Sequence, residues 1–235
     1  MTPQLKHTIA AAILAAAAIA PSAAMAGGKP ADPDDRFRHW SVEASGLLGS
    51  DVWGAGAAAN YHLNPYAGAG VGLMILGTTS DDAQAGTMPG GQTDWVAETG
   101  LNKVGALRAE LLLTTPRLKL GSDREYGLAL RVSPGIDVPI PVNRTVTVGY
   151  TPHQPGSYEV NHSDQVENHG GKALYGHCKV AALLTIDRLE LSAGYEWSNF
   201  DVYGGARNIS IGGTKLIGSD RKTIHAAFAS IAYKF

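Results

Sequence analysis

Apolar and polar residues alternate with a period of two along most of the chain, the pattern of strands with one greasy and one polar face. The last eleven residues, HAAFASIAYKF, show it clearly: Phe235, Tyr233, Ile231, Ala229 and Ala227 alternate with Lys234, Ala232, Ser230, Phe228 and Ala226. The same period predicts eight strands, at 40–48, 52–63, 66–75, 103–113, 124–133, 172–185, 188–200 and 223–235. Most match the 9–11 residues that a tilted strand needs to cross a bilayer. The connections alternate as well. Those after the second, fourth and sixth strands are short (NP, TTPRLKLGS, ID), whereas 76–102, 134–171 and 201–222 are long. Tight turns on one side and long loops on the other describe an up-and-down barrel across a membrane.

Alternation alone does not choose the solvent, because a soluble barrel has the same two faces inverted. The aromatics make the choice. On the apolar face, Trp40, Tyr61, Tyr126, Tyr233 and Phe235 fall at the tight-turn end, and Trp53, Tyr195 and Trp197 at the long-loop end. Between them lie small or aliphatic residues such as Ala57, Val71, Leu73, Leu107, Leu130 and Val180. Two aromatic girdles around an aliphatic band match the two interfaces of a bilayer.

The opposite face carries Glu43, Arg108, Glu110, Arg131, His177, Lys179, Glu190, Glu196 and Lys234, together with Gly54, Gly56, Gly68, Gly70 and Gly72. A water-facing strand gains nothing from so much glycine. A narrow lumen gains the room that long charged side chains need, and there acids and bases must pair. The reading is an all-β, antiparallel, up-and-down transmembrane β-barrel of about eight strands with a filled polar interior. Its last strand is expected to pair with its first, leaving no edge.

Composition adds a leader and removes some partners. The segment MTPQLKHTIAAAILAAAAIAPSAAMA has a basic start, a short apolar run and an A-x-A end, so residues 1–26 are expected to be a signal peptide. Residues 27–38 read as a flexible lead-in and 39–235 as the barrel domain. The chain has 235 residues, a net charge of -2 and a single cysteine, Cys178. That excludes an internal disulfide, and the charge balance offers no basic patch for nucleic acid.

Chemistry is sparse. His153, His162, His169 and Asp164 are metal-ligand types without a compact spacing. Ser198 beside Glu196 lacks an adjacent base. GGARNISIGG at 204–213 is glycine-rich but does not open a helix. No catalytic residue, metal site or cofactor is therefore expected.

The alternating last strand with Tyr233 and Phe235, the leader and the NYHLNPYAGAGVG hairpin at 60–72 resemble the small eight-stranded outer-membrane β-barrel superfamily, of the OmpA transmembrane-domain and OmpX type. The resemblance implies a Gram-negative outer membrane, contact with its lipid and recognition of the last strand by the assembly machinery. Full OmpA-type proteins add a peptidoglycan-binding domain; the expectation here is a barrel alone. Function is then expected on the long loops, as a structural, adhesion or interaction role with an extracellular partner. Thr145–Tyr150 and Ser157–Asn161 are read as a hairpin standing above the membrane. The alternatives are a narrow pore for small solutes, a lipid-modifying envelope enzyme or a secreted soluble barrel.

Overall fold

The computed structural model describes residues 37–79, 85–97, 102–120, 126–152, 162–217 and 222–235. The segments read as a leader (1–26) and, nearly all of it, as a lead-in (27–38) lie outside them. Eight strands form the barrel: β1 (Trp40–Gly49), β2 (Val52–Asn64), β3 (Ala67–Thr78), β4 (Lys103–Thr114), β5 (Tyr126–Ile140), β6 (Tyr175–Ile186), β7 (Leu189–Ser198) and β8 (Ile224–Lys234). Each pairs antiparallel with its neighbour in sequence, and β8 pairs with β1 from Ser41↔Lys234 to Gly49↔Ala226. Closure gives every strand a paired neighbour on both sides, so the barrel has no edge strand. The Phe235 amide donates to the Trp40 carbonyl at 2.9 Å, which pins the last residue.

β5 is longer than the sequence suggested. It does not stop at Ser133 but runs through Pro134 and Gly135 to Ile140, pairing with Gly105–Glu110 of β4 and Tyr175–His177 of β6. Two prolines and a glycine obscured it, because each normally signals the end of a strand. The alternation resumes beyond them, with Asp137 inside. Tight turns behave as read: the Asn64 side chain accepts hydrogen bonds from the Tyr66 and Ala67 amides at 2.8 Å each, an Asx turn that reverses the chain between β2 and β3.

The outer wall is apolar and open. Val71 and Leu73 are 61% and 62% exposed, and Val42, Ile75, Leu107, Leu130, Val180 and Ile231 share that surface. The inner wall has two zones. Toward the long-loop end Leu47, Leu76, Val104, Ile224 and Phe228 form an apolar plug, continued by Tyr175, Phe200 and Val202. Below it lie the buried charges. The glycines of β2 and β3 leave no void: a Cβ on Gly70 would lie 2.2 Å from the Asn60 Oδ1, and one on Gly72 2.5 Å from the Ala57 carbonyl oxygen.

Candidate functional site

The lumen is built by side chains of strands one, two or three places apart reaching over one another. Arg108 on β4 stands in register with Asp137 on β5. Its Nε and Nη2 donate to the two Asp137 carboxylate oxygens at 2.7 and 3.2 Å. Its Nη1 and Nη2 also donate to Glu196 on β7 at 3.0 and 2.7 Å, spanning the barrel. One planar guanidinium thus holds two carboxylates, each in a forked contact, which lysine has no geometry to do. Asp137 and Glu196 are almost wholly buried, at 0% and 1% exposure.

A second group joins β4 and β6 across β5. Lys179 Nζ lies 3.0 Å from the Glu110 Oε2, and His177 lies between Glu110 and Asp137. Toward the tight-turn end, Glu190 receives Arg131 Nη1 at 2.7 Å and Lys234 Nζ at 2.6 Å. Glu43 has no cation in contact among the described residues; the Asn60 Nδ2 donates to it at 3.3 Å. The structure therefore places Glu43, Arg108, Glu110, Arg131, Lys179, Glu190, Glu196 and Lys234 inside, all buried. Asp137 is the member that sequence reasoning missed, since it lay in a segment read as loop.

Arg131→Ala is expected to cost less than the loss of Arg108, because Glu190 keeps Lys234. A destabilisation of about 1–3 kcal/mol, the range for a weakened buried polar contact, is expected from urea unfolding in detergent micelles.

On the outer face, Trp40, Tyr61, Tyr126, Tyr233 and Phe235 are exposed at one end of the wall, and Tyr195 and Trp197 at the other. Trp53 is half-buried because its indole lies over Gly77, where a Cβ would come within 2.5 Å of the ring. Trp40 packs on Tyr61 with ring centroids 4.9 Å apart, and Tyr233 on Phe235 at 5.4 Å.

The long loops fold into a cap of their own. Ala85–Thr87, Thr93–Ala97, Thr145–Pro152 and His162–Glu167 make a four-stranded antiparallel sheet from two different loops. Thr145–Pro152 pairs within its own loop with His162–Glu167; the segment at 157–161 lies outside the described residues. The third loop supplies turns over 202–208 and a small hairpin, Ser210–Ile211 with Thr214–Lys215. Gly212 and Gly213 turn that hairpin with φ of 58° and 84°, a two-residue reversal that suits glycine.

Trp95, Val146, Val148, Ile209, Ile211 and Leu216 are buried together in a core separate from the barrel's. The cap is tied to the barrel where the Thr78 and Tyr203 hydroxyls meet at 2.6 Å. The Asn199 Oδ1 makes a second tie by accepting the Gly176 amide at 2.8 Å. Within the cap, Arg207 Nη2 donates to Asp201 at 2.7 Å, and Asn168 Nδ2 donates to the Gly205 carbonyl at 2.6 Å.

The residues weighed for chemistry are not brought together. The Ser198 Oγ donates to the Gly176 carbonyl at 3.0 Å and accepts the Phe200 amide at 3.1 Å, so it is bound into the β7 terminus. Glu196 is committed to Arg108. His162 pairs with Asp164 at 2.9 Å on a paired strand rather than in a free loop, and both are exposed. His153 lies outside the described residues. Among the described residues no cluster of three metal-ligand side chains forms.

No family model and no curated sequence matches the chain. Among solved structures, the chain is similar to the N-terminal β-barrel domain of Pseudomonas aeruginosa OprF (9% identity, 84% of this chain and 98% of that one, TM-score 0.39). It is also similar to Ail, the attachment invasion locus protein of Yersinia pestis (11%, 85% and 100%, TM-score 0.35), and to Neisserial surface protein A (11%, 84% and 95%, TM-score 0.37). At such identities nothing about activity passes from those proteins to this chain. Its own inversion is decisive: ion pairs are sealed within a closed wall whose outside is bare aliphatic side chains between aromatic rings. The chain is a closed eight-stranded antiparallel β-barrel with an apolar outer wall and a buried, charged interior.

Proposed function

We propose that this is a surface protein of a Gram-negative outer membrane whose work is done by its cap, as a structural, adhesion or interaction protein. The observation that carries the reading is that three long loops share one buried core. Ordering that much irregular chain costs conformational entropy, which a set of passive connectors has no reason to meet. The lumen below is closed twice, by the apolar plug and by the ion pairs, which speaks against a pore for solutes. Ser198 and Glu196 are both engaged in structural contacts, which speaks against a lipid-modifying enzyme. Export by the leader at 1–26, lipid contact along the wall and recognition of Tyr233 and Phe235 by the assembly machinery belong to the same proposal.

The test uses the cap core. Trp95→Ala removes the largest side chain of that core and is expected to cost the cap about 3–5 kcal/mol. The barrel's heat-shifted gel mobility should remain, while loop proteolysis accelerates. Trp95→Phe is the control, because the indole N–H has no acceptor among the described residues. Displayed on a non-adherent bacterium, the native chain and Trp95→Phe should promote attachment to cultured cells or extracellular matrix, and Trp95→Ala should not. Equal attachment with and without the protein, or a steady single-channel current in planar bilayers, would overturn the reading.

A further inference from the structure

The barrel interior contains a histidine whose surroundings fit only one protonation state. His177 sits on β6 with its ring over Gly135 of β5, where a Cβ would come within 2.5 Å of the Cε1 and Nε2 atoms. Only glycine leaves that berth. From it the Nδ1 lies 3.1 Å from the Asp137 Oδ2 and the Nε2 lies 3.4 Å from the Glu110 Oε2. A neutral imidazole has one N–H and one lone pair. Set between two carboxylates, it would direct that lone pair at an acceptor, in a site closed to bulk solvent. The imidazolium has a donor for each.

The charge balance of the lumen points the same way. Among the described residues the buried acids of the lumen are Glu43, Glu110, Asp137, Glu190 and Glu196, whereas its Lys and Arg residues are Arg108, Arg131, Lys179 and Lys234; Asp201, also buried, pairs with Arg207 in the cap. Five acids face four cations, and Glu43 has no cation in contact. Around His177 stand Arg108 and Glu110 from β4, Asp137 from β5, Lys179 from its own strand and Ser198 in register from β7, with Glu196 reached through Arg108. The other buried histidine, His62, faces the Ser41 hydroxyl and, among the described residues, no carboxylate in contact.

We infer that His177 is a buried proton-binding site: it carries both ring protons at pH 7 and serves as the fifth cation that neutralises the lumen. The proton arrives with the folded barrel and balances Glu43 at a distance, through the lattice of Lys179 and Glu110. This inference stands independently of the surface role proposed above.

The test is nitrogen NMR of the full chain refolded in detergent, with ¹⁵N-labelled histidine and the His177 signals assigned through their contact with Gly135. Both ring nitrogens should appear protonated at pH 7; one bare nitrogen on His177 in the folded barrel overturns the inference. A double-mutant cycle supplies the second readout. His177→Gln should lower the urea midpoint, and adding Glu43→Gln should recover part of that loss because four acids then face four cations. The two side chains are not in contact, so simple contact loss predicts additivity. Strict additivity would overturn the neutrality claim. Should His177→Gln fail to fold, the NMR measurement on the native chain decides alone.

Discussion

Arg108→Ala should destabilise the barrel by about 3–5 kcal/mol, the cost of baring a buried ion pair from one side. The reason is the asymmetry of its two partners. Asp137 still has His177 at 3.1 Å when the guanidinium is gone. Glu196 has Arg108 as its ion-pair partner among the described residues and is 1% exposed. A carboxylate stranded in that position is shielded from bulk solvent and has lost its cation. Urea unfolding in detergent, followed by heat-shifted mobility, measures the loss. Arg108→Ala with Glu196→Gln should recover a substantial part of it, because the amide leaves no charge to strand. An unchanged midpoint for the single variant would mean that these groups face a wet channel, and it would revive the pore reading.

Gly194→Ala should be at least as severe, about 4 kcal/mol or more, which is rare for one methyl group. Gly194 faces inward on β7, in register with Ala181 of β6. A Cβ there would lie 2.0 Å from the Val180 carbonyl oxygen and 2.7 Å from the Ala181 Cα. These are backbone atoms of a strand held on both sides, so neither can move without opening the wall. Gly46→Ala is the matching control. Its Cβ would point outward, with its nearest neighbour at 3.8 Å, and it should be neutral or stabilising by about 0.4–1 kcal/mol through the unfolded chain. The folded fraction after refolding, read on unboiled gels, separates the two. A well-folded Gly194→Ala barrel would mean that β6 and β7 approach each other less closely than described.

How much of this was legible varies by element. β8 and β2 were readable almost to the residue, because alternation is a local property and nothing interrupts it. β5 was cut short at Ser133 by Pro134 and Gly135, and Asp137 was lost with it. Each residue breaks the local rule, and only the pairing of Tyr175–His177 and Gly105–Glu110 on either side keeps the strand straight through them. The cap was the larger omission. Val146, Val148 and Tyr150 alternate visibly, but their partners Trp95 and Ile209 are far away in sequence, and a core made of three loops leaves no periodic mark in any one of them. The chemistry of Ser198 was equally undecidable until its hydroxyl was seen to bind the Gly176 carbonyl.

The sequence by itself determined the barrel: strand number, the side of the tight turns, and which residues face outward and which face inward. It could do so because a strand's two faces are set by a period of two that each segment carries alone. The tertiary structure decided the rest: which acid meets which base, that His177 lies between two carboxylates over a glycine, and that the loops make one cap. Those depend on stagger between strands and on distances across the lumen, which no single segment encodes.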